Sequence, residues 1–434
     1  MARIALAAVA LFGVFGVVAG AEEPARSDGE RVSELLTRGD SLEKAVQVHP
    51  RIWLASGNSN AYLVTTPDGN VLIDTGATFD AERTQRALAA VPGEIAAIVL
   101  THAHVDHVGG LPRFARPGVP VIAHRAMRQR LRDQIALTPF RNKRARVLWG
   151  AVMDAQNAQP VRDVAPTLVV DDRHELTVGG LRFVVLATPG GEGPDGLSVW
   201  VPQLDAIFTG DLCGPTSATF PNLFTLRGEN LREAVPMIAS LDRVLALRPK
   251  PKLWLPGHFE PVRGRETIRA TLRRTRDAVA YVHDETVAGM NAGKPLWQLM
   301  REVKLPPELA VSEQYGRVAW GVRAIWESYT GWFRYESTSE LYATPRSEAD
   351  PVLVAMAGGA SAVAARAEQL VARGESERAL HLVEAALAAE PANREALAAK
   401  RAALQALLAR DGANFQLGGW LRHELASVEA APAE

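Results

Sequence analysis

The segment Thr101-His102-Ala103-His104-Val105-Asp106-His107 packs three of the chain's ten histidines and an aspartate into six residues. Imidazole nitrogen and carboxylate oxygen are the donors that divalent cations such as zinc accept. The apolar run at 95–100 stands directly before the cluster and reads as a buried strand. Where a strand turns into a helix, side chains this close splay to two sides. His102 and His104 then face one cation, and Asp106 and His107 face a second. Asp106 is also the candidate catalytic carboxylate. Two neighbouring divalent cations lower the pKa of a shared water to about neutral, which is hydrolase chemistry. Gly109-Gly110 follow and give the backbone freedom to leave the cluster. A chance grouping of solvated polar residues is the plain alternative, and the adjoining hydrophobic strand argues against it.

Such a cluster needs a rigid frame. Residues 52–54 and 60–65 read as strands, and Pro67-Asp68-Gly69-Asn70 is a turn before a partner strand at 71–74. A helical period covers 81–91. A short strand follows at 119–122, which Pro120 assigns to a sheet edge. Further strands are predicted at 168–170, 183–186, 197–201, 206–208 and 252–255, with helices at 126–137 and 231–247, the latter starting near Pro236. Strands alternating with helices predict a mixed α/β domain whose sheets are covered by helices. From Thr267 the pattern changes. Ile268, Leu272, Thr275, Val279 and Val282 recur at intervals of three and four, an amphipathic helix, and almost everything after them is helical. The stretch from Arg373-Gly374-Glu375 through Ala379-Leu380, Ala386 and Pro391 resembles one tetratricopeptide-type helical pair.

The length of 434 residues favours more than one core, and 47% hydrophobic with 22% charged residues is ordinary for a globular protein. A net charge of -1 provides no global field toward nucleic acid or an anionic membrane, so no nucleic-acid partner is expected. Met1-Ala2-Arg3, the apolar run 4–18 and Ala19-Gly20-Ala21 read as a signal peptide cut after Ala21. That predicts export, to the periplasm or the medium, with no membrane span after cleavage. Cys213 is the single cysteine, so no internal disulfide can form.

In the order H-x-H-x-D-H, then Thr188-Pro189-Gly190-Gly191-Glu192, Thr209-Gly210-Asp211 and Pro256-Gly257-His258, the chain resembles the metallo-β-lactamase superfamily. The resemblance implies an αββα sandwich with metals at its edge and further ligands at Glu192, Asp211 and His258. The superfamily commonly places histidine directly after Thr-Pro-Gly. Here that position is Gly191 and the implied ligand is Glu192, as in the alkylsulfatase branch. That branch has an acidic bridging ligand nineteen residues later, where Asp211 stands, although it generally uses glutamate there. Asp195 is the alternative ligand in the same loop, but Asp195-Gly196 reads well as a turn. Asp74 also matches a superfamily position and reads as a supporting carboxylate rather than a ligand. Cys213 reads as a small buried residue. His49, His124, His174, His283, His381 and His423 show no ligand pattern.

Pro221-Asn222-Leu223-Phe224-Thr225-Leu226-Arg227-Gly228 resembles the alkylsulfatase segment Asn-Leu-Tyr-Thr-Leu-Arg-Gly, which implies that Asn222 and Arg227 hold a sulfate group. Arginine suits the task as a planar, permanently charged fork. An ordinary ion-paired role is the alternative for Arg227. Gln314-Tyr315-Gly316, Ala324-Ile325-Trp326 and Tyr329-Thr330-Gly331-Trp332-Phe333 resemble the alkylsulfatase dimerisation domain, as does 358–409, and this implies a homodimer. After Trp332-Phe333 that family continues with an Asp-Gly-Asn-Pro-like turn. Arg334-Tyr335-Glu336-Ser337 replaces it here, which bears on the substrate-side loop or the dimer contact. A third, sterol-carrier-like domain of the family has no room in these residues, and its absence favours smaller or more soluble substrates.

The resulting expectation is a signal peptide at 1–21, an N-terminal arm at 22–44 and a metallo-β-lactamase-fold domain at 45–266. An all-α dimerisation domain with tetratricopeptide-like helices follows at 267–426, and a frayed tail at 427–434. The expected function is a hydrolase with two divalent metal ions, zinc by donor type, that cleaves a small anionic ester, foremost an alkyl sulfate. A lactone, β-lactam, thioester or phosphoester is the alternative substrate class. A binding protein with a vestigial metal site is a third reading, and metal content discriminates it.

Overall fold

Side chains alternate between two apolar faces along nearly every strand, and this alternation builds a layered structure. The computed structural model describes residues 42–149, 163, 165–214, 219–228 and 231–430. The signal peptide and nearly all of the N-terminal arm lie outside the described residues.

The first sheet comprises β1 (Val46–His49), β2 (Ile52–Ser56), β3 (Asn60–Val64), β4 (Asn70–Ile73), β5 (Ile95–Val99), β6 (Val121–His124) and β7 (Leu168–Val170), in that spatial order. It is antiparallel from β1 to β4 and parallel from β4 to β7. The second sheet, also in chain order, comprises β8 (Arg173–Val178), β9 (Leu181–Ala187), β10 (Leu197–Val201), β11 (Ala206–Gly210), β12 (Leu253–Pro256) and β13 (Val262–Arg263). All its pairs are antiparallel except β11 with β12.

Val71, Ile73, Ala97 and Val99 point from the first sheet toward Phe183, Val185, Phe208 and Leu255 of the second and form the central core. The intervening residues Leu72 and Ile98 point outward and are covered from α1 (Ala81–Ala89), α3 (Leu111–Phe114) and α4 (Met127–Ala136) by Leu88, Phe114 and Leu131. The one-turn helix α2 (Val105–Val108) carries the histidine cluster, and α5 (Thr138–Trp149) follows α4. On the far side, Trp200, Ile207 and Trp254 of the second sheet meet Leu241 of α6 (Ala234–Leu245) and Leu272 and Val279 of α7 (Arg265–Asn291). Leu299 of α8 (Leu296–Glu302) and Val322 and Ile325 of α9 (Val318–Thr330) join the same cluster. The result is the helix–sheet–sheet–helix sandwich of the metallo-β-lactamase fold, followed by an all-helical region.

That region continues through α10 (Asp350–Met356), α11 (Ala360–Ala372), α12 (Ser376–Ala389), α13 (Arg394–Asp411) and α14 (Phe415–Glu429). Buried alanines at 360, 364, 367, 379, 386, 396, 399 and 403 line the contacts of α11 to α13, so these helices approach closely. The last helix folds back: a Cβ on Gly419 would sit 1.8 Å from the Leu148 carbonyl oxygen of α5.

Three expectations are corrected. Pro120 does not mark an edge, because β6 lies between β5 and β7. Pro120 precedes the strand, so its missing N–H costs no ladder bond, and its carbonyl accepts from the Ile98 amide at 2.9 Å. The first helix of the helical half starts at Arg265 rather than Thr267. The tail is helical through Glu429, and only 431–434 lie outside the described residues. No described helix is long and apolar enough to cross a membrane.

Phe208 is fully buried at the centre of the inter-sheet core. Replacing it with alanine is expected to destabilise the protein by about 3–5 kcal/mol, read as a lower urea midpoint at unchanged slope. A shift of less than about 1 kcal/mol would contradict this packing.

Candidate metal centre

All the candidate ligands lie beyond the same ends of their strands. The histidine cluster follows β5, Glu192 follows β9, Asp211 follows β11 and His258 follows β12. Asp74, just after β4, organises the group. It adopts a left-handed backbone (φ 58°), and its carboxylate accepts the Thr101 amide at 2.8 Å and the Thr101 hydroxyl at 2.7 Å. It also accepts His107 Nδ1–H at 2.8 Å, which leaves His107 Nε2 to face the other ligands. His258 is fixed in the same way, since Nδ1 donates to the Asn58 carbonyl at 2.9 Å and so Nε2 keeps its lone pair. The Ser59 hydroxyl donates to the Asp106 carbonyl.

The seven predicted ligand side chains come together. His102 Nε2 lies 3.0 Å from His104 Nδ1, which is 3.1 Å from Glu192 Oε2. His258 Nε2 lies 3.0 Å from Asp211 Oδ2 and 3.4 Å from Asp106 Oδ2. His107 Nε2 lies 3.4 Å from Asp106 Oδ2 and 3.6 Å from Asp211 Oδ1. Donors bound at about 2.0 Å to a tetrahedral zinc lie about 3.3 Å from one another, so these separations suit a cation. Three donor sets each span less than 4.8 Å: His102/His104/Glu192, Asp106/His107/His258 and His102/His107/Asp211. Asp211 therefore adjoins both halves of the centre. His107 Nε2 and Asp211 Oδ1 are buried without a hydrogen-bond partner, as expected of atoms shaped to hold a metal. A Cβ on Gly257 would fall 2.0 Å from Asp211 Oδ1, so only glycine fits between β12 and the bridge.

The charges are strongly coupled. Burial alone would raise the Asp106 and Asp211 carboxyls, but His107 and His258 hold both far below the usual carboxylate range. Burial would lower His107, and the opposing pull of Asp106, Asp211 and Asp74 raises it instead. Burial together with His107 and His104 keeps His102 well below its ordinary value, hence neutral and able to donate a lone pair.

Asp195 lies outside these donor sets. Its carboxylate accepts the Ala103 amide at 2.7 Å and sits 3.7 Å from Arg130 Nε, so it braces the loop that carries His102 and His104. Gln134 secures the same loop by donating to the Ala103 carbonyl at 2.6 Å. Cys213 is buried, and burial beside Asp211 pushes its thiol up to about 12.

The segment with Asn222 and Arg227 is held from two sides. Phe220 donates to the Ser312 carbonyl at 2.7 Å, and Gly316 donates to the Phe220 carbonyl at 3.1 Å. A Cβ on Gly316 would lie 2.2 Å from the Pro221 oxygen. Arg144 of α5 donates to the Arg227 and Leu226 carbonyls at 2.8 and 2.7 Å. Tyr315 packs on Phe259, the residue after His258, which connects this grip to the metal centre. Asn222 is buried, and neither its amide nitrogen nor its oxygen has a partner. Arg227 is half-buried. Sequence reasoning missed the roles of Asn58, Ser59 and Arg144. Of these, only the turn Gly57-Asn58-Ser59-Asn60 carried a local signal.

Residues 55–258 match the family model of the metallo-beta-lactamase superfamily, and residues 296–417 match that of alkyl sulfatase dimerisation. A linear primary-alkylsulfatase from a Pseudomonas species is 31% identical over 350 residues, 74% of this chain and 65% of that protein. An (R)-specific secondary-alkylsulfatase, also from Pseudomonas, is 27% identical over 394 residues, 83% of this chain and 59% of that protein. The chain thus spans less than two thirds of these relatives' length. The stereoselective inverting sec-alkylsulfatase Pisa1 from Pseudomonas superposes with a TM-score of 0.77 at 24% identity, covering 92% of this chain and 68% of that one.

Replacing Asp74 with alanine should weaken metal affinity by about 10- to 100-fold, because His107 loses the partner that aims it. Competition against a chelator measures this. Unchanged affinity would show that the Asp74–His107 contact does not serve the metal.

Proposed function

We infer that the chain is a member of the metallo-beta-lactamase superfamily, in its alkylsulfatase-like branch. From that premise we propose that it is a dinuclear zinc hydrolase cleaving alkyl sulfates or related sulfate esters to an alcohol and sulfate. The observation that carries the reading is the convergence of His102, His104, Glu192, Asp106, His107, His258 and Asp211 at one end of the sandwich. Linked to it through Phe259, Tyr315 and Gly316 is a segment whose buried Asn222 amide is unsatisfied. His102, His104 and Glu192 would hold one cation and Asp106, His107 and His258 the other, with Asp211 between them. When bound, two such cations lower the pKa of a water to about neutral and stabilise developing negative charge.

The remaining work belongs to the chain. An unsatisfied buried N–H costs about 1–3 kcal/mol, a penalty that a bound sulfate oxygen accepting from the Asn222 amide nitrogen would remove. Arg227 supplies the permanent positive charge that a sulfate monoester requires, and its planar fork fixes the orientation of the group. Asp74 and the Asn58 carbonyl keep His107 and His258 in the tautomers that face inward. Asp195 and Gln134 keep the His102–His104 loop from shifting.

The domain division at about residue 266 and the export of the protein belong to the same reading. So does assembly as a homodimer. The exposed Trp332, Tyr335, Tyr342 and Met356 supply apolar surface that a second copy would cover, and all four lie within the dimerisation match.

Purified protein is expected to release sulfate from dodecyl sulfate or a shorter homologue. Arg227→Ala should lower kcat/KM by about 100-fold, in keeping with loss of a charge-assisted contact of roughly 3 kcal/mol. Hydrolysis of a lactone or β-lactam without sulfate release would redirect the substrate class. The mature protein, recovered from periplasm or medium with Glu22 first, should sediment as two chains. A monomer, or recovery only from cytoplasm with Met1 intact, would count against assembly or export respectively.

A further inference from the structure

Glu192 carries a charge that the superfamily's usual histidine would not. Its carboxylate is 4% exposed, and Oε2, the oxygen 3.1 Å from His104 Nδ1, also touches Nη2 of Arg232, itself 3% exposed. Arg232 lies just before α6, and that region is locked to the ligand loop. The Glu233 amide donates to the Gly190 carbonyl at 3.1 Å, and the Ser240 hydroxyl donates to the Pro189 carbonyl at 2.7 Å. A Cβ on Gly190 would lie 2.3 Å from the Met237 amide nitrogen. The guanidinium therefore stays with the loop that presents Glu192. It cannot lose its proton, so the pair is neutral as a unit.

We propose that Arg232 is a positioning residue that cancels the charge of Glu192 and restrains one of its oxygens. The Glu192–Arg232 pair then presents to the cation at His102 and His104 the net charge of a histidine donor. This rests on the dinuclear reading above and adds to it a residue outside the ligand set. It also accounts for how a carboxylate can enter this position without making the bound cation a weaker electrophile.

The test is Co2+ titration of the metal-depleted full chain, followed by visible absorption and affinity. Variants are Arg232→Lys, Arg232→Met, Glu192→Gln and the double Glu192→Gln/Arg232→Met. Arg232→Lys should keep the wild-type spectrum. Arg232→Met should alter the spectrum, because the released oxygen changes the donor geometry. Glu192→Gln leaves a buried guanidinium facing the cation, so one of the two binding steps should weaken by about tenfold or more. Removing that guanidinium in the double variant should tighten the same step again. The double variant removes both ions of the pair, so it tests the proposal even if Arg232→Met does not fold. A wild-type spectrum and unchanged affinities in Arg232→Met would overturn the proposal. So would a double variant that binds no more tightly than Glu192→Gln. Wild-type protein that takes up no Co2+ would instead fail the metal-centre reading itself.

Discussion

Three carboxylates and four imidazoles cannot share one buried site without added positive charge, and the sandwich is arranged around that constraint. Burial lowers the proton affinities of His107 and His258 while the neighbouring carboxylates raise them, and the carboxylates prevail, so the site draws positive charge. Divalent cations provide it more fully. The cluster is stable only because groups outside it limit its motion: Asp74 under His107, the Asn58 carbonyl under His258 and Asp195 under the backbone of Ala103. These braces come from strand ends of both sheets, so packing in the central core sets the ligand positions.

The two sheets contribute unequally. The first gives four closely spaced candidate ligands from one loop, at the end of parallel strand β5. The second gives one candidate ligand from each of three loops, after β9, β11 and β12. Because β11 and β12 are parallel, Asp211 and His258 leave the sheet at the same end. The Gly257 amide donates to the Gly210 carbonyl at 2.9 Å and holds the two loops in register.

Local residues made the histidine cluster legible in the sequence, and the hairpin of β3 and β4 was equally plain from its turn. Glu192, Asp211 and His258 were legible only through resemblance, since each is a lone polar residue at a strand end. Strand β8 escaped notice because Arg173, His174 and Glu175 mask its alternation on an outer edge. Helix α5 escaped because its basic sequence shows no apolar stripe. Pro120 misled because a rule about ladder hydrogen bonds was applied to a residue that lies just before the ladder. The Arg232–Glu192 pair spans forty positions, so no spacing rule could have paired them.

The candidate metal ligands and the residues that hold the Asn222 segment sit on different scaffolds. Ser312 and Gly316 suspend the 219–222 stretch from the helical region, whereas the ligands are rooted in the sheets. This separates two evolutionary trajectories. Substitution in the helices can move the segment that carries Asn222 while leaving the sheet-rooted side chains of the histidine cluster in place.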